Sequence, residues 1–137
     1  MTIQGTTLGE VLGFSPSDLE EIRRIGHDLF ASSNLADAAV IFRGMLDLEP
    51  SDVESITMLG VIRAQQGLTE QAEALLGDAI QLDPGNVVAL VTRGEHRLKL
   101  GNAKGRDDLR AALKADPQFR LTSTRRAQEL LAGKAAA

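Results

Sequence analysis

Gly26, Gly60 and Gly94 stand at a constant interval of 34 residues, and the same interval separates Ala38 from Ala72, Phe42 from Leu76 and Pro50 from Pro84. Leu109 and Pro117 follow Leu76 and Pro84 by 33, so the third copy is one residue shorter in its turn. This period is the strongest constraint on the fold. Each copy is a unit that buries its apolar face on the next copy rather than in a central core.

Within a copy the apolar residues follow helical spacing in two runs. In the middle copy Ile56, Leu59, Ile62 and Ala64 form the first run, and Gln66-Gly67-Leu68-Thr69 breaks it. Ala72, Leu75, Leu76, Ala79 and Ile80 form the second, and Asp83-Pro84 stops it. The unit is therefore helix, turn, helix. Ile22, Ile25, Gly26 and Leu29 begin the first copy, Leu90 and Gly94 the third, and Leu109 and Ala112 lie in the second helix of the third. The glycines and alanines are expected where the two helices cross, because a larger side chain would hold the backbones apart.

The punctuation agrees with this reading. Ser15-Pro16-Ser17-Asp18 has the spacing of a capping box with proline at the first helical position. Ser51 with Glu54 is expected to cap the next repeat, Thr69 the second helix of that repeat, and Asn86 the first helix of the third. Ser32-Ser33-Asn34 is a turn, and Gly67 and Gly101 close the first helices of repeats two and three. The second helix of repeat three is expected from about Ala103 to Lys114. Thr6-Thr7 caps a short apolar helix with Leu8, Val11 and Leu12 on one stripe, either covering the first repeat or serving as an arm for self-association. A last helix through Leu131 caps the array, with Leu121, Leu130 and Leu131 turned inward and Arg125, Arg126 and Glu129 toward water. Residues 133–137 form a frayed tail.

These residues resemble the tetratricopeptide repeat (TPR) family. The resemblance implies an all-α superhelix of three helix-turn-helix repeats, with an N-terminal arm over 1–18, repeats at 19–52, 53–86 and 87–119, and a C-terminal capping helix and tail over 120–137. The family usually places bulky aromatics in the first helix of each repeat, where this chain carries aliphatics.

Catalytic chemistry has little to stand on. Cysteine is absent, and His27 and His96 have no ligand-spaced partners. No GxGxxG, P-loop or GxSxG motif occurs. The expectation is a non-enzymatic protein with no cofactor and no metal. A net charge of −4 argues against general nucleic-acid affinity. With no signal peptide and no long apolar run, a cytoplasmic protein without membrane insertion is expected.

What remains is surface. In a stacked array the first helix of each repeat lines a concave groove. Helical spacing selects Arg23, His27 and Phe30 from the first repeat, Thr57, Met58, Val61 and Ala64 from the second, and Val88, Val91, Thr92, Glu95 and Leu98 from the third. Most are apolar, and an exposed apolar patch marks a binding surface for a protein or an extended peptide. Within the TPR family, domains that hold the C-terminal carboxylate of heat-shock chaperones carry a clamp of Lys, Asn and Arg. Here only Arg23 fits it, while His27, Met58, Val88 and Thr92 occupy the other places.

Three repeats between an N-terminal arm and one C-terminal helix, with the flanks Ser17-Asp18-Leu19-Glu20-Glu21-Ile22 and Leu121-Thr122-Ser123-Thr124-Arg125, are similar to the class II chaperones of type III secretion. That resemblance implies a cytosolic chaperone whose groove takes an extended apolar segment of a translocator protein, and a homodimer made through the arm. The shorter ends and the lack of tyrosine depart from that family. The other reading is a generic TPR adaptor that scaffolds a multiprotein complex through folded partners.

Overall fold

The structure, a computed structural model, describes residues 2–3 and 5–133. A two-residue hairpin, β1 (Thr2–Ile3) and β2 (Thr6–Thr7), opens the chain with Thr2 opposite Thr7, a feature that helical periodicity does not announce. Then come α1 (Leu8–Val11), the repeat pairs α2 (Pro16–Ala31) with α3 (Leu35–Leu48), α4 (Val53–Gln65) with α5 (Thr69–Leu82) and α6 (Val87–Lys99) with α7 (Gly105–Ala115), and finally α8 (Thr122–Leu131). Residues 134–137 of the expected tail lie outside the described residues.

The 34-residue period has a direct structural cause. A Cβ built on Gly26 would lie 2.7 Å from the Phe42 ring, one on Gly60 would lie 2.8 Å from Leu76, and one on Gly94 would lie 2.8 Å from Leu109. The helix pairs of all three repeats therefore cross at the same point, with one bulky side chain of the second helix filling the space the glycine leaves. Phe42, Leu76 and Leu109 are fully buried. In the third repeat the crossing is tighter. A Cβ on Gly105, the first residue of α7, would run into the Gly94 carbonyl oxygen. The residue lost from this repeat is accommodated there, and α7 begins at Gly105, two residues after the expected Ala103.

The turns repeat as well. In each of the three turns inside a repeat, the helix ends with two N–H donors folding back on the last carbonyls. Gly67 N–H donates to Ala64 O at 3.1 Å and Leu68 N–H to Arg63 O at 2.9 Å. Gly101 and Asn102 do the same after α6, and Ser33 and Asn34 after α2. The pivotal residue needs a positive φ, which is +76° at Gly67 and +79° at Gly101. Ser33 takes it at +63° without being glycine.

Caps follow the sequence at three helices and depart from it at two, and at α1 Thr7 Oγ1 accepts from Glu10 N–H at 3.2 Å. Ser15 Oγ accepts from Asp18 N–H, and Asp18 Oδ2 accepts from Ser15 N–H at 2.8 Å, a complete capping box. Asn86 Oδ1 accepts from Ala89 N–H at the start of α6. At α4 the cap is Asp52, not Ser51, because the chain enters the helix one residue later and Asp52 Oδ2 accepts from Ser55 N–H. Thr69 is the first residue of α5 rather than its cap, and Leu68 in that place makes no side-chain cap.

The cap residues also join consecutive repeats. Asp52 accepts from Arg23 Nε of the preceding repeat at 3.1 Å, and Asn86 Nδ2 donates to Thr57 Oγ1 at 2.8 Å. Arg23 and Thr57 are one period apart, as are Asp52 and Asn86. Behind the third repeat, Arg93 and Arg97 of α6 both reach the buried Asp108 of α7, and Arg97 also pairs with Glu73 of α5.

α8 packs on α7 and α6. Its orientation is set by Asp116, whose carboxylate accepts from Thr124 Oγ1 at 2.5 Å and from the N–H groups of Leu121 and Arg120. Thr124, Ala127 and Leu130 consequently face inward, and Leu121, held outside the helix as its first flanking residue, is 46% exposed rather than buried.

Candidate functional site: the concave cleft

α4 is covered by a repeat on either side, and its buried residues, among them Ser55, Ile56, Leu59 and Val61, run around most of its circumference. What it leaves open is a strip facing α6 and α8. Val61, Ala64 and Gln65 of α4, Val91, Thr92, Glu95, His96 and Lys99 of α6, and Ser123 and Arg126 of α8 enclose a cleft of about 420 Å3. Five of the residues selected by helical spacing meet here: Val61, Ala64, Val91, Thr92 and Glu95.

The cleft has an apolar floor and a polar rim. Val61 and Val91 are buried at 8% and 6% exposure, so each presents an edge rather than a free side chain. Ala64 and Thr92 are half-buried at the surface of the floor. On the rim, Arg126 Nε donates to Glu95 Oε1 at 3.0 Å and Nη2 to Oε2 at 3.1 Å, a two-bond fork that ties α8 to α6. Lys99 Nζ lies 3.7 Å from the same carboxylate. Hydrogen bonding to Glu95 raises the Arg126 guanidinium above its ordinary pKa, so the guanidinium is charged throughout the accessible pH range. Arg126, expected to face water, is thus part of the cleft wall. Its position carries the signal for this, since Thr124 and Ala127 turn inward and residues 123 and 126 flank that stripe.

The remaining selected residues lie elsewhere. Arg23 is engaged by Asp52, by Glu20 at 2.9 Å and by Glu54 at 3.5 Å, and hydrogen bonding to Asp52 raises its pKa. His27 Nε2 is 3.2 Å from Glu54 Oε1, and its ring stands edge-on to Phe42 with centroids 5.3 Å apart. Thr57 is buried, donating to Val53 O while accepting from Asn86, so it ties two repeats together. Phe30 and Met58 pack against the core around Phe42 and Ile62. Leu98 packs against the third-repeat core, close enough that a Cβ on Gly105 would meet its Cγ at 3.1 Å. Val88 is half-buried. The α2 end of the groove is therefore an ion-paired surface, and the apolar cleft is concentrated between α4, α6 and α8.

Among the described residues no group of three or more His, Asp or Glu is placed to hold a metal ion. No described helix is long and apolar enough to cross a membrane.

Residues 29–91 match the family model of the tetratricopeptide repeat. No curated protein matches the sequence. Among solved structures, the chain is similar to the type III secretion translocator chaperone SycD of Yersinia enterocolitica. The TM-score is 0.84 at 20% identity, over 94% of this chain and 98% of that one. It is also similar to PcrH of Pseudomonas aeruginosa, with a TM-score of 0.79 at 23% identity over 88% and 94% of the two chains. PcrH in complex with the chaperone binding region of PopB matches with a TM-score of 0.77 at 24% identity over 87% and 98%. Three crossing glycines, a match to the repeat model over residues 29–91, and a structural likeness that runs nearly end to end show the fold of a tetratricopeptide-repeat array.

Proposed function

We propose that this protein is a non-enzymatic, cytoplasmic chaperone that holds an extended apolar segment of a type III secretion translocator protein in its concave groove. The observation that carries the reading is the extent of the likeness to SycD, which covers 94% of this chain and 98% of that one. Coverage that high extends beyond the three repeats at both ends. PcrH bound to the chaperone binding region of PopB supports a peptide as occupant. The cleft supplies an apolar floor for a small anchor side chain and a polar rim for the peptide backbone.

The test is binding of a labelled peptide from a translocator's chaperone-binding region, read by fluorescence anisotropy. Charged substitutions at Val61 or Val91 would bury the charge and disturb the fold, so the informative variants are Ala64→Glu and Thr92→Glu, at half-buried surface positions. Each is expected to weaken binding about tenfold or more at unchanged helicity. Unchanged affinity in both variants removes the cleft from the function. The arm is the second element of the reading. Val11, Leu12 and Phe14 are exposed at 54%, 59% and 36%, and a homodimer formed through them would cover that surface. Deletion of residues 1–14 is expected to give a monomer by sedimentation, and an unchanged oligomeric state refutes the arm's role.

A further inference from the structure

α4 carries a second cleft on its opposite side. Leu59 and Arg63 of α4 meet Arg43 of α3 and Gln71, Ala74 and Leu75 of α5 around a space of about 530 Å3. At about 100° per residue, Leu59 and Arg63 lie roughly half a turn of the helix away from Val61, Ala64 and Gln65, which line the concave cleft. The two clefts therefore open on opposite faces of the protein.

The chain carries net charge −4, and Arg23, Arg24, Arg93, Arg97, Arg110 and Arg126 are all ion-paired to carboxylates. Arg43 has no hydrogen-bond or ion-pair partner among the described residues, and Arg63 has only the neutral Gln66, through Nη1 to Oε1 at 2.8 Å. No carboxylate lines the cleft. Asp47, one helical turn from Arg43 on α3, lines the adjoining hollow together with Arg43, Val40 and Gly44. Two arginines thus border an apolar floor that no carboxylate lines. Guanidinium groups in this position favour a carboxylate partner, bound through paired N–H donors.

We propose that the outer cleft between α3, α4 and α5 binds an acidic, apolar segment of a partner protein, seating a leucine-sized side chain on Leu59, Ala74 and Leu75 and its flanking carboxylates on Arg43 and Arg63. This site is independent of the concave one, so client and partner bind together. A carrier that must be recognised while loaded needs such a face. The occupant is identified by charge and shape: acidic residues spaced around an aliphatic anchor.

The probe is a labelled twelve-residue peptide alternating leucine with aspartate and glutamate, compared with one bearing lysine for the acids and one bearing serine for the leucines. The measurements are anisotropy and backbone amide shifts of the full chain. The acidic, apolar peptide is expected to bind at least about tenfold more tightly than either control, with shifts centred on Leu59, Ala74 and Leu75. Arg43→Gln with Arg63→Gln is expected to abolish that preference, while Ala64→Glu on the concave face leaves it unchanged. The proposal is overturned if the acidic peptide does not bind, if its shifts map to the concave cleft, or if the double variant binds it as well as the parent. It is also overturned if the double variant instead loses concentration-dependent self-association, which would assign the cleft to a second copy of the chain. None of these results bears on binding of the translocator peptide in the concave cleft, so the two readings fail separately.

Discussion

Replacing each helical glycine by alanine separates packing from helix propensity. Gly44 and Gly77 lie in the interiors of α3 and α5 with nothing within 4 Å of where a Cβ would stand, so a methyl group there meets open space. Alanine is preferred to glycine in a helix interior by about 1 kcal/mol, and both substitutions are expected to stabilise the fold by about 0.5–1 kcal/mol. Gly94 has the same propensity to gain, but its Cβ would lie 2.8 Å from Leu109 Cδ2 and 2.8 Å from the Gly105 carbonyl oxygen. The leucine can shift; the carbonyl belongs to the first residue of α7 and moves only with the helix. Overpacking costs about 1–3 kcal/mol, and a backbone obstacle places Gly94 near the top of that range. After the propensity gain, Gly94→Ala is expected to lose about 2 kcal/mol. Gly60→Ala, which meets only the side chains of Leu75 and Leu76, falls between the two. The assay is urea unfolding followed by circular dichroism. With a slope of about 1–3 kcal/mol per molar urea, Gly77→Ala and Gly94→Ala should differ in midpoint by about 1 M or more. If Gly94→Ala is as stable as Gly77→Ala, close helix crossing is not the reason for the 34-residue period.

Two further outcomes follow from the turns and the last helix. Ser33 holds the positive φ that Gly67 and Gly101 hold in the other repeats, a conformation costing an L-residue about 1–2 kcal/mol, so Ser33→Gly should be stabilising by about 0.5–1 kcal/mol after the entropy lost by glycine. A rise in Tm of about 2–5 °C is expected, and a fall would show that the Ser33 side chain contributes more than its backbone costs. Asp116 is held below the usual carboxyl pKa by the hydrogen bond from Thr124, then by that from the Leu121 N–H. Its stabilising contribution is therefore complete above the ordinary carboxyl pKa of about 4 and is lost as pH falls through the lowered value. Wild type should exceed Asp116→Asn in Tm by its full margin at about pH 6, and the margin should shrink on acidification; a margin independent of pH would refute the ionic role.

The parts of the fold that are legible in the sequence are those fixed by local geometry. A crossing glycine, the side chain that fills its space one helix later, and the turn between them all lie within one period, so spacing alone recovers them. The capping box at Ser15 and the cap at Asn86 are likewise three-residue relations. The choice between Ser51 and Asp52 is not legible, because either can cap and the register is decided by Arg23, one repeat away, which draws the Asp52 carboxylate.

The candidate site is less completely legible, and the reason lies in α4 and α8. Helical spacing gives the angle of a residue around its own helix. It does not give how many neighbours cover that angle. In the middle of a stack α4 is covered on two sides, so Thr57 becomes an inter-repeat tie and Val61 a buried floor, although both point in the expected general direction. α8 presents the opposite difficulty. Its sequence allows Leu121 or Thr124 to face inward, and hydrophobicity favours the leucine. Asp116 decides otherwise by taking both the Leu121 N–H and the Thr124 hydroxyl, which excludes Leu121 from the helix and rotates Arg126 onto Glu95. A polar residue buried on the inward face, satisfied by a carboxylate from the preceding loop, thus determines which side chains wall the cleft. The groove's chemistry is set by this loop-to-helix contact as much as by the repeats.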